Sequence, residues 1–401
     1  MSGLRDRPVR ILFTGFEPSG DDHASAVIAE LLARHPQTEV FAWGGPKMAA
    51  AGASVVEQTG RDAVMGVPGL GKILEHRRIN KRIKAWLAEH PIDVHVPVDS
   101  PAANFPICAM ARASGAKVVH LVAPQVWAWA SWRVNKLRRL TSFVCCLLPF
   151  EEAWFRKHNV RARFVGHPLY DHPLDLAALD AAIARWSEGT PKIALLPGSR
   201  PAEIEANFPL LLAAFGRIAS EHPGMAGVVA VARPETESVV YGMAGGAPWP
   251  AKLSVVSGQT DAAIRWADLC LVVSGTVTLQ VARQYKPMVI VYKSSRLMYN
   301  LIGRWLVKTP YFSLPNLIAG RRIVPELVPH FGGPDDIVNE AVGLLERPEL
   351  VETQKRALRE VSAAFEGHNA ASAAAEVIAR VAGLTQASSL TPEPVVVARA
   401  D

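Results

Sequence analysis

A chain of 401 residues with 49% apolar and 20% charged side chains is too long for one ordinary hydrophobic core and too apolar for a disordered protein. Two globular domains are expected. The formal charge of +6 favours an anionic partner, whether nucleic acid, a lipid surface or a phosphorylated substrate, and composition alone does not choose among them.

The N-terminus runs directly into an apolar strand at 9–13, with no signal-peptide apolar region ahead of it. No apolar run nears the roughly 18 residues that span a bilayer. A cytoplasmic protein is expected, with any membrane contact peripheral. Short strand-like runs recur at 40–42, 94–98, 118–121, 143–147 and 163–165, separated by stretches of helical spacing such as 26–32. A strand-less, Ala-rich stretch at 168–191 follows, and the scheme repeats with strands at 193–196, 228–231, 253–256, 269–273 and 288–291. This alternation predicts an α/β fold of two doubly wound Rossmann-like domains facing a central cleft, with the ligand between them. The expected division is 1–170, 171–350, C-terminal helices over 351–383, and a disordered tail from 384, which lacks periodicity and carries two prolines. The four cysteines, Cys108, Cys145, Cys146 and Cys270, show no metal-ligand spacing and read as buried thiols.

Several loops carry residues suited to chemistry. In KIALLPGSRPAEIE, 192–205, a buried strand closes at Pro197 and Gly198, and Pro201 and Glu203 open a helix. Such a turn presents backbone N–H groups to an anion, and Arg200 beside it can hold two phosphate oxygens at once. It lacks the Walker A pattern. The bland alternative is a plain turn with a solvated Arg. A second loop of the same kind, Ser274-Gly275-Thr276, follows the strand LCLVV and leads to Gln280. Two such loops on one sheet point to a nucleotide diphosphate. Asp99 stands at the end of the VHVPV strand, where α/β enzymes place catalytic carboxylates; with an ordinary pKa of about 3.9 it is ionised at pH 7 and able to take a proton from a hydroxyl. The alternative is an Asx turn before Pro101. In the first loop Gly20 is read as the turn residue, with Ser19, Asp21 and Asp22 as helix caps, while Glu17 and His23 are left for function.

The segment 64–87 combines Met65, Val67 and Leu70 with Lys72, Arg77, Arg78, Lys81 and Arg82, the composition of an interfacial membrane helix. Its apolar residues 79, 83, 86 and 87 suit a surface helix packed on the sheet equally well. Nucleic acid is disfavoured, since no aromatic platform accompanies the charge. Trp127, Trp129 and Trp132 beside Arg133, Lys136, Arg138 and Arg139 read either as core at a domain edge or as the lining of a site for a sugar or lipid.

An ordered series of motifs resembles the lipid-A-disaccharide synthase family of GT-B glycosyltransferases over about 9–381: PSGD at 18–21, GGPKM at 44–48, AVMG at 63–66, Asp99 with Pro101 and Asn104, VWAW at 126–129, LPFE at 148–151, VGHP at 165–168, LLPGSR at 195–200, SGTVTL at 274–279 and YFSLPNLIAGRRIVPEL at 311–327. The resemblance implies inverting transfer of 2,3-diacylglucosamine from UDP to the 6-hydroxyl of 2,3-diacylglucosamine 1-phosphate, without a metal or other cofactor. It implies Asp99 as general base, a UDP-sugar site of Gly198, Ser199, Arg200, Ser274, Gly275, Thr276, Gln280 and Asn316, and an acceptor-side loop of Glu17, Ser19, Gly20, Asp21 and His23. It further implies peripheral docking on the inner membrane through 64–84 and admits a homodimer. Gln280, Ala102 and Phe16 depart from the family pattern, where Glu, Asp and Gly are usual, and leave a divergent GT-B transferase or epimerase with another acceptor as the alternative. A non-catalytic binding module of the same fold is disfavoured by the presence of Asp99 and Arg200.

Overall fold

The computed structural model describes residues 7–59, 70–243, 249–294 and 309–385, with side chains from residue 75 in the second stretch. Two parallel sheets follow one another. The first has the order β3-β2-β1-β4-β5-β6-β7, built from β1 (Arg10–Thr14), β2 (Glu39–Gly44), β3 (Ser54–Gln58), β4 (Val94–Pro97), β5 (Lys117–Leu121), β6 (Phe143–Cys146) and β7 (Ala162–Phe164). The second has the order β10-β9-β8-β11-β12-β13, from β8 (Lys192–Leu196), β9 (Ala226–Val231), β10 (Leu253–Ser257), β11 (Leu269–Val273), β12 (Met288–Lys293) and β13 (Glu326–His330). Every expected strand is present. Central strands such as β4 and β9 are buried at each position, as a sheet covered on both faces requires. The two strands missed by sequence reasoning are both edges. β3 alternates exposed and half-buried residues, and β13 carries Pro329 on the outermost strand, so neither offers a continuous apolar run.

Helices connect the strands: α1 (Pro18–Arg34), α2 (Pro46–Ala50), α3 (Leu70–Glu89), α4 (Pro101–Ala113), α5 (Val134–Leu140), α6 (Glu151–Lys157), α7 (Leu176–Ile183), α8 (Pro201–Glu221), α9 (Glu235–Gly242), α10 (Thr260–Trp266) and α11 (Val277–Arg283). Among the described residues no helix is long and apolar enough to cross a membrane. All four cysteines are free and buried.

The two C-terminal helices part company. Pro348–Ala363 packs beside the second sheet, where Leu358 and Val361 join its core, whereas Ala370–Ala382 returns to the first sheet and packs Ala374, Val377 and Ile378 against Val27, Ile28 and Leu31 of α1. Leu384, expected in the tail, continues this packing; residues 386–401 lie outside the described residues. The carboxylate of Asp171, just beyond β7, accepts the N–H groups of Ala370 and Ala371 at 2.7 and 3.3 Å, and Tyr170 stacks on Phe365 with ring centroids 4.4 Å apart. The outgoing and returning connections between the sheets therefore hold each other.

An apolar cluster joins the two halves near the cleft. Trp127 and Leu148 of the first half are buried with Leu279 of α11, with Leu314 and Leu317 of the helix Leu314–Ala319 against them. Glu151 secures the first half's contribution: its carboxylate accepts from the Trp127 indole at 2.9 Å and from the N–H groups of Leu147 and Leu148 at 3.1 and 3.0 Å. Burial pushes the Glu151 carboxyl up from 4.5 to about 7. Because the folded protein holds this proton more tightly than the unfolded chain, the stabilisation it gives is complete below pH 4.5 and is lost as pH rises through about 7. Glu151→Gln should therefore remove a pH-dependent component of roughly 3 kcal/mol over that window, seen as a parent-minus-variant difference in urea midpoint that changes between pH 4.5 and 7 and is flat above.

Candidate functional site

Each sheet changes winding direction once, between β1 and β4 in the first and between β8 and β11 in the second. At such a switch point the loops beyond neighbouring strands diverge and leave a crevice. The four loops that follow these four strands are those of Glu17, Asp99, Arg200 and Ser274 to Thr276. The candidate residues thus come together by topology, two loops from each sheet.

The Asp99 loop is unusual in its backbone. Asp99 and Ser100 both have positive φ, 47° and 38°, a conformation that costs non-glycine residues roughly 1–3 kcal/mol each. A buried polar chain holds it there. The Asp99 carbonyl accepts from Asn104 Nδ2 at 2.9 Å, and the Val98 carbonyl accepts from the same nitrogen at 3.2 Å. Asn104 Oδ1 takes the hydroxyl proton of Thr14 at 2.6 Å, which leaves the Thr14 oxygen to accept from His95 Nε2 at 2.8 Å. Thr14, His95 and Asn104 are all fully buried. Burial lowers His95 to about 3, so it stays neutral and fixed in this role. The Asp99 N–H donates to the Leu121 carbonyl at 3.0 Å, and Ser100 Oγ donates to Glu17 Oε1 at 2.8 Å, tying the two loops of the first sheet together.

Burial raises the Asp99 carboxyl above its ordinary value; the Ser100 N–H and the Arg200 charge act against this, while Glu17 adds to it. The Arg200 charge reaches Asp99 from the other sheet. Arg200 is the residue before α8, Pro201 opens that helix, and Gly198 takes φ 103°, as the turn residues predict. The guanidinium rests on Glu203 Oε1 at 2.9 Å, an ion pair 45% exposed on the Arg side. Such a pair is weak and easily exchanged for a stronger anion. Ser274, Thr276 and Gln280 make no side-chain hydrogen bond to a described residue, nor does Ser199, so their polar groups are uncommitted within the protein. A Cβ on Gly275 would meet nothing within 4 Å; the loop faces open space.

Other expected site residues have structural duties. Helix α1 begins already at Pro18, so Gly20 lies inside the helix rather than in a turn, packed beside Gly15 and Val98. Ser19 is exposed and caps nothing. Asp21 caps α2 instead: its oxygens accept from the N–H groups of Gly45, Lys47 and Met48 at 3.0–3.1 Å. A Cβ at Gly45 would stand 2.3 Å from that carboxylate, which explains PSGD and GGPKM as one interlocked unit. His23 sits among Asp22, Asp171 and His167, at the connection between the sheets; burial lowers its pKa, and lowers His167 to about 4.

Asn316 corrects the expectation of a direct donor-site contact. It is fully buried, its Oδ1 accepts from the N–H groups of Ile323 and Val324, and its Nδ2 donates to the Val324 carbonyl and to Glu326 Oε2 at 2.8 Å. No capacity is left for a sugar. Glu326 is held in turn by Ser313 and the Phe312 N–H, so this motif is a lock that seats the helix Leu314–Ala319 on the apolar joint. Phe16, which departs from the family's Gly, is buried in a cluster with Leu12, Trp43, Ile79 and Ile83 and meets His76 edge-on.

Of the basic apolar segment, Ile79, Ile83 and Leu87 pack into the core and Trp86 lies against it, so this part of α3 is a sheet-packed helix. Arg77, Arg78 and Lys81 are exposed on its other face, and Arg82 is bound to Glu57 by two hydrogen bonds of 2.6 and 2.7 Å. Met65 and Val67 lie outside the described residues, as do the side chains of Leu70 and Lys72.

Comparison with known proteins shows likeness over nearly the whole chain. The sequence model of the family described as lipid-A-disaccharide synthetase matches residues 11–380. A lipid-A-disaccharide synthase of Pseudomonas aeruginosa is 36% identical over 369 residues, covering 89% of this chain and 96% of that protein. Among solved structures, the glycotransferase of kitacinnamycin superposes with a TM-score of 0.62 at 18% identity, covering 94% of this chain and 99% of its own. UDP-GlcNAc 2-epimerase from Neisseria meningitidis, bound to UDP-GlcNAc, gives 0.56 at 10% identity over 94% of this chain and all of its own. The likeness to these two is one of fold.

The polar chain under Asp99 gives a direct test of the loop. Asn104→Leu keeps the volume but strands the Thr14 hydroxyl and two carbonyls, and should lower global stability by about 1–3 kcal/mol, measured as a fall in urea midpoint at unchanged slope.

Proposed function

The chain belongs to the lipid-A-disaccharide synthase family, and on that premise we propose how its cleft performs the family's reaction. It is a GT-B glycosyltransferase that joins UDP-2,3-diacylglucosamine to 2,3-diacylglucosamine 1-phosphate, forming the β-1,6 lipid A disaccharide and releasing UDP. In our reading the donor's diphosphate lies on the loops beyond β8 and β11, with Arg200 leaving Glu203 for the phosphates and with Ser199, Ser274, Thr276 and Gln280 supplying hydrogen bonds. The acceptor lies on the first-sheet side, its 6-hydroxyl at Asp99. Asp99 takes the hydroxyl proton as the oxygen attacks the anomeric carbon from the face opposite UDP, and the C–O bond to the diphosphate breaks with its electrons. Inversion follows from that geometry.

The observation that carries this reading is topological: the loops of Asp99 and Arg200 each follow a strand at the switch point of its own sheet, and the Arg200 charge acts on Asp99. It supports a reading in which the base and the diphosphate clamp share one cleft. The raised pKa of Asp99 makes its carboxylate a better proton acceptor, and movement of Arg200 onto phosphate strengthens that further by withdrawing an opposing charge. Fixed positive charge at the departing diphosphate is the electrostatic help such a step requires, and no metal is assigned a part. Glu17 orients the Asp99 turn through Ser100. The exposed Arg77, Arg78 and Lys81 rest against the anionic inner membrane in this reading, where acylated substrates are taken up.

UDP release by the purified protein with both substrates in detergent tests it. Asp99→Asn should lower kcat by about 10²–10⁴ while UDP still binds, and a variant as fast as the parent rules Asp99 out as the base. In the parent, the rate should fall on acidification with a midpoint above the ordinary 3.8 of an aspartate, because the carboxylate is the active form and burial raises its pKa.

A further inference from the structure

Residues 100–150 contain no Asp or Glu and six Lys or Arg, so this one segment carries a charge of +6, the whole formal excess of the chain. Part of that charge lines a cavity. Beside the Asp99 loop, a trough of about 630 Å³ opens between α4 and the segment Ser131–Leu140. One wall is a single face of α4, formed by Ala102, Phe105, Pro106 and Ala109 at helical spacing. Opposite stand Arg133, Lys136 and Arg139, three residues apart on their own helical face. Lys136 Nζ lies 5.6 Å from the centroid of the Phe105 ring, and the Arg133 guanidinium 4.7 Å from that of Trp129, which is 43% exposed. Among the described residues none of the three cations is in an ion pair.

From this we infer that the trough is the subsite for the acceptor's phosphate and the first part of its acyl chain. The inference rests on the reaction proposed above, in which both substrates are anionic. The donor's charge is met by the loops of the second sheet; the acceptor brings a separate phosphomonoester to the first. Asp99 precedes α4 by two residues, and Ala102 is the trough's near end, so a sugar with its 6-hydroxyl at Asp99 directs its remaining groups along the helix. Ala102 to Ala109 spans about 10 Å at 1.5 Å per residue, the scale of a sugar phosphate. Three cations answer a doubly charged head, and the apolar α4 face with Trp129 answers the chain beside it.

The test compares 2,3-diacylglucosamine 1-phosphate with 2,3-diacylglucosamine lacking the phosphate, in detergent micelles, for the parent and for the triple variant Arg133→Gln, Lys136→Gln, Arg139→Gln. The single variant Arg139→Glu guards against misfolding, and UDP binding reports an intact second sheet. Expected are a rise of about tenfold or more in KM for the phosphorylated acceptor, an unchanged KM for the UDP donor, and collapse of the parent's preference for the phosphate. An equal preference in parent and variants overturns the inference while leaving the reaction intact. Loss of sedimentation with phosphatidylglycerol vesicles, with acceptor kinetics unchanged in micelles, also overturns it and assigns the cations to the membrane. If the parent releases no UDP with either acceptor, the reaction itself is wrong, and calorimetric titration of the phosphorylated acceptor into parent and variant still decides whether the trough binds it.

Discussion

The turn at Asp99 and Ser100 is the constraint from which the cleft follows. Two successive side-chain-bearing residues with positive φ do not persist unless neighbours hold them, and here the holding groups come from three separate elements. Thr14 ends β1, His95 lies within β4 and Asn104 sits in the first turns of α4. The hydrogen bonds that bend the loop are therefore those that join the strands on either side of the first switch point. A change in the strain at Asp99 is necessarily a change in how β1, β4 and α4 meet. The carboxylate can be half-buried and still held in place because its backbone is the fixed part.

Around this centre the sequence motifs divide into those on the loops of the cleft and those that keep it in shape. Arg200, Glu17 and the 274–276 loop are of the first kind. Asp21 with Gly45, Glu151 with Trp127, and Asn316 with Glu326 are carboxylates and amides held by backbone and side-chain N–H groups. Each clamps one loop to another. A buried polar group leaves little freedom once its partners are set, because an unmade hydrogen bond in a dry site is costly. Placing such clamps behind a cleft keeps the loops in front of it in register without any of them touching a substrate.

This division also explains which parts of the molecule were legible in the sequence. Eleven strands announce themselves as apolar runs, and the four cleft loops as turn residues behind them, because both signals are local. The edges β3 and β13 lack the apolar run, being half exposed. Phe16 is illegible for a related reason: whether a residue beside a motif faces a ligand or a core depends on what packs over it, and α3, some 60 residues later, supplies that cover. Asn316 reads like a binding residue because a saturated amide and a waiting one have the same letter. The polar chain His95, Thr14, Asn104 brings together residues 81 and 90 apart and has no sequence signal at all.

The helix Ala370–Ala382 completes a core that begins at residue 9. During synthesis the first sheet emerges early, yet the apolar face of α1 at Val27, Ile28 and Leu31 stays without its final cover until nearly the entire polypeptide has left the ribosome. The second sheet, complete once Pro348–Ala363 is out, is free to fold before the first one closes. The half of the enzyme that is made first is thus the half that is finished last, and a nascent chain cut short anywhere before the final helix releases a first half whose core is still open.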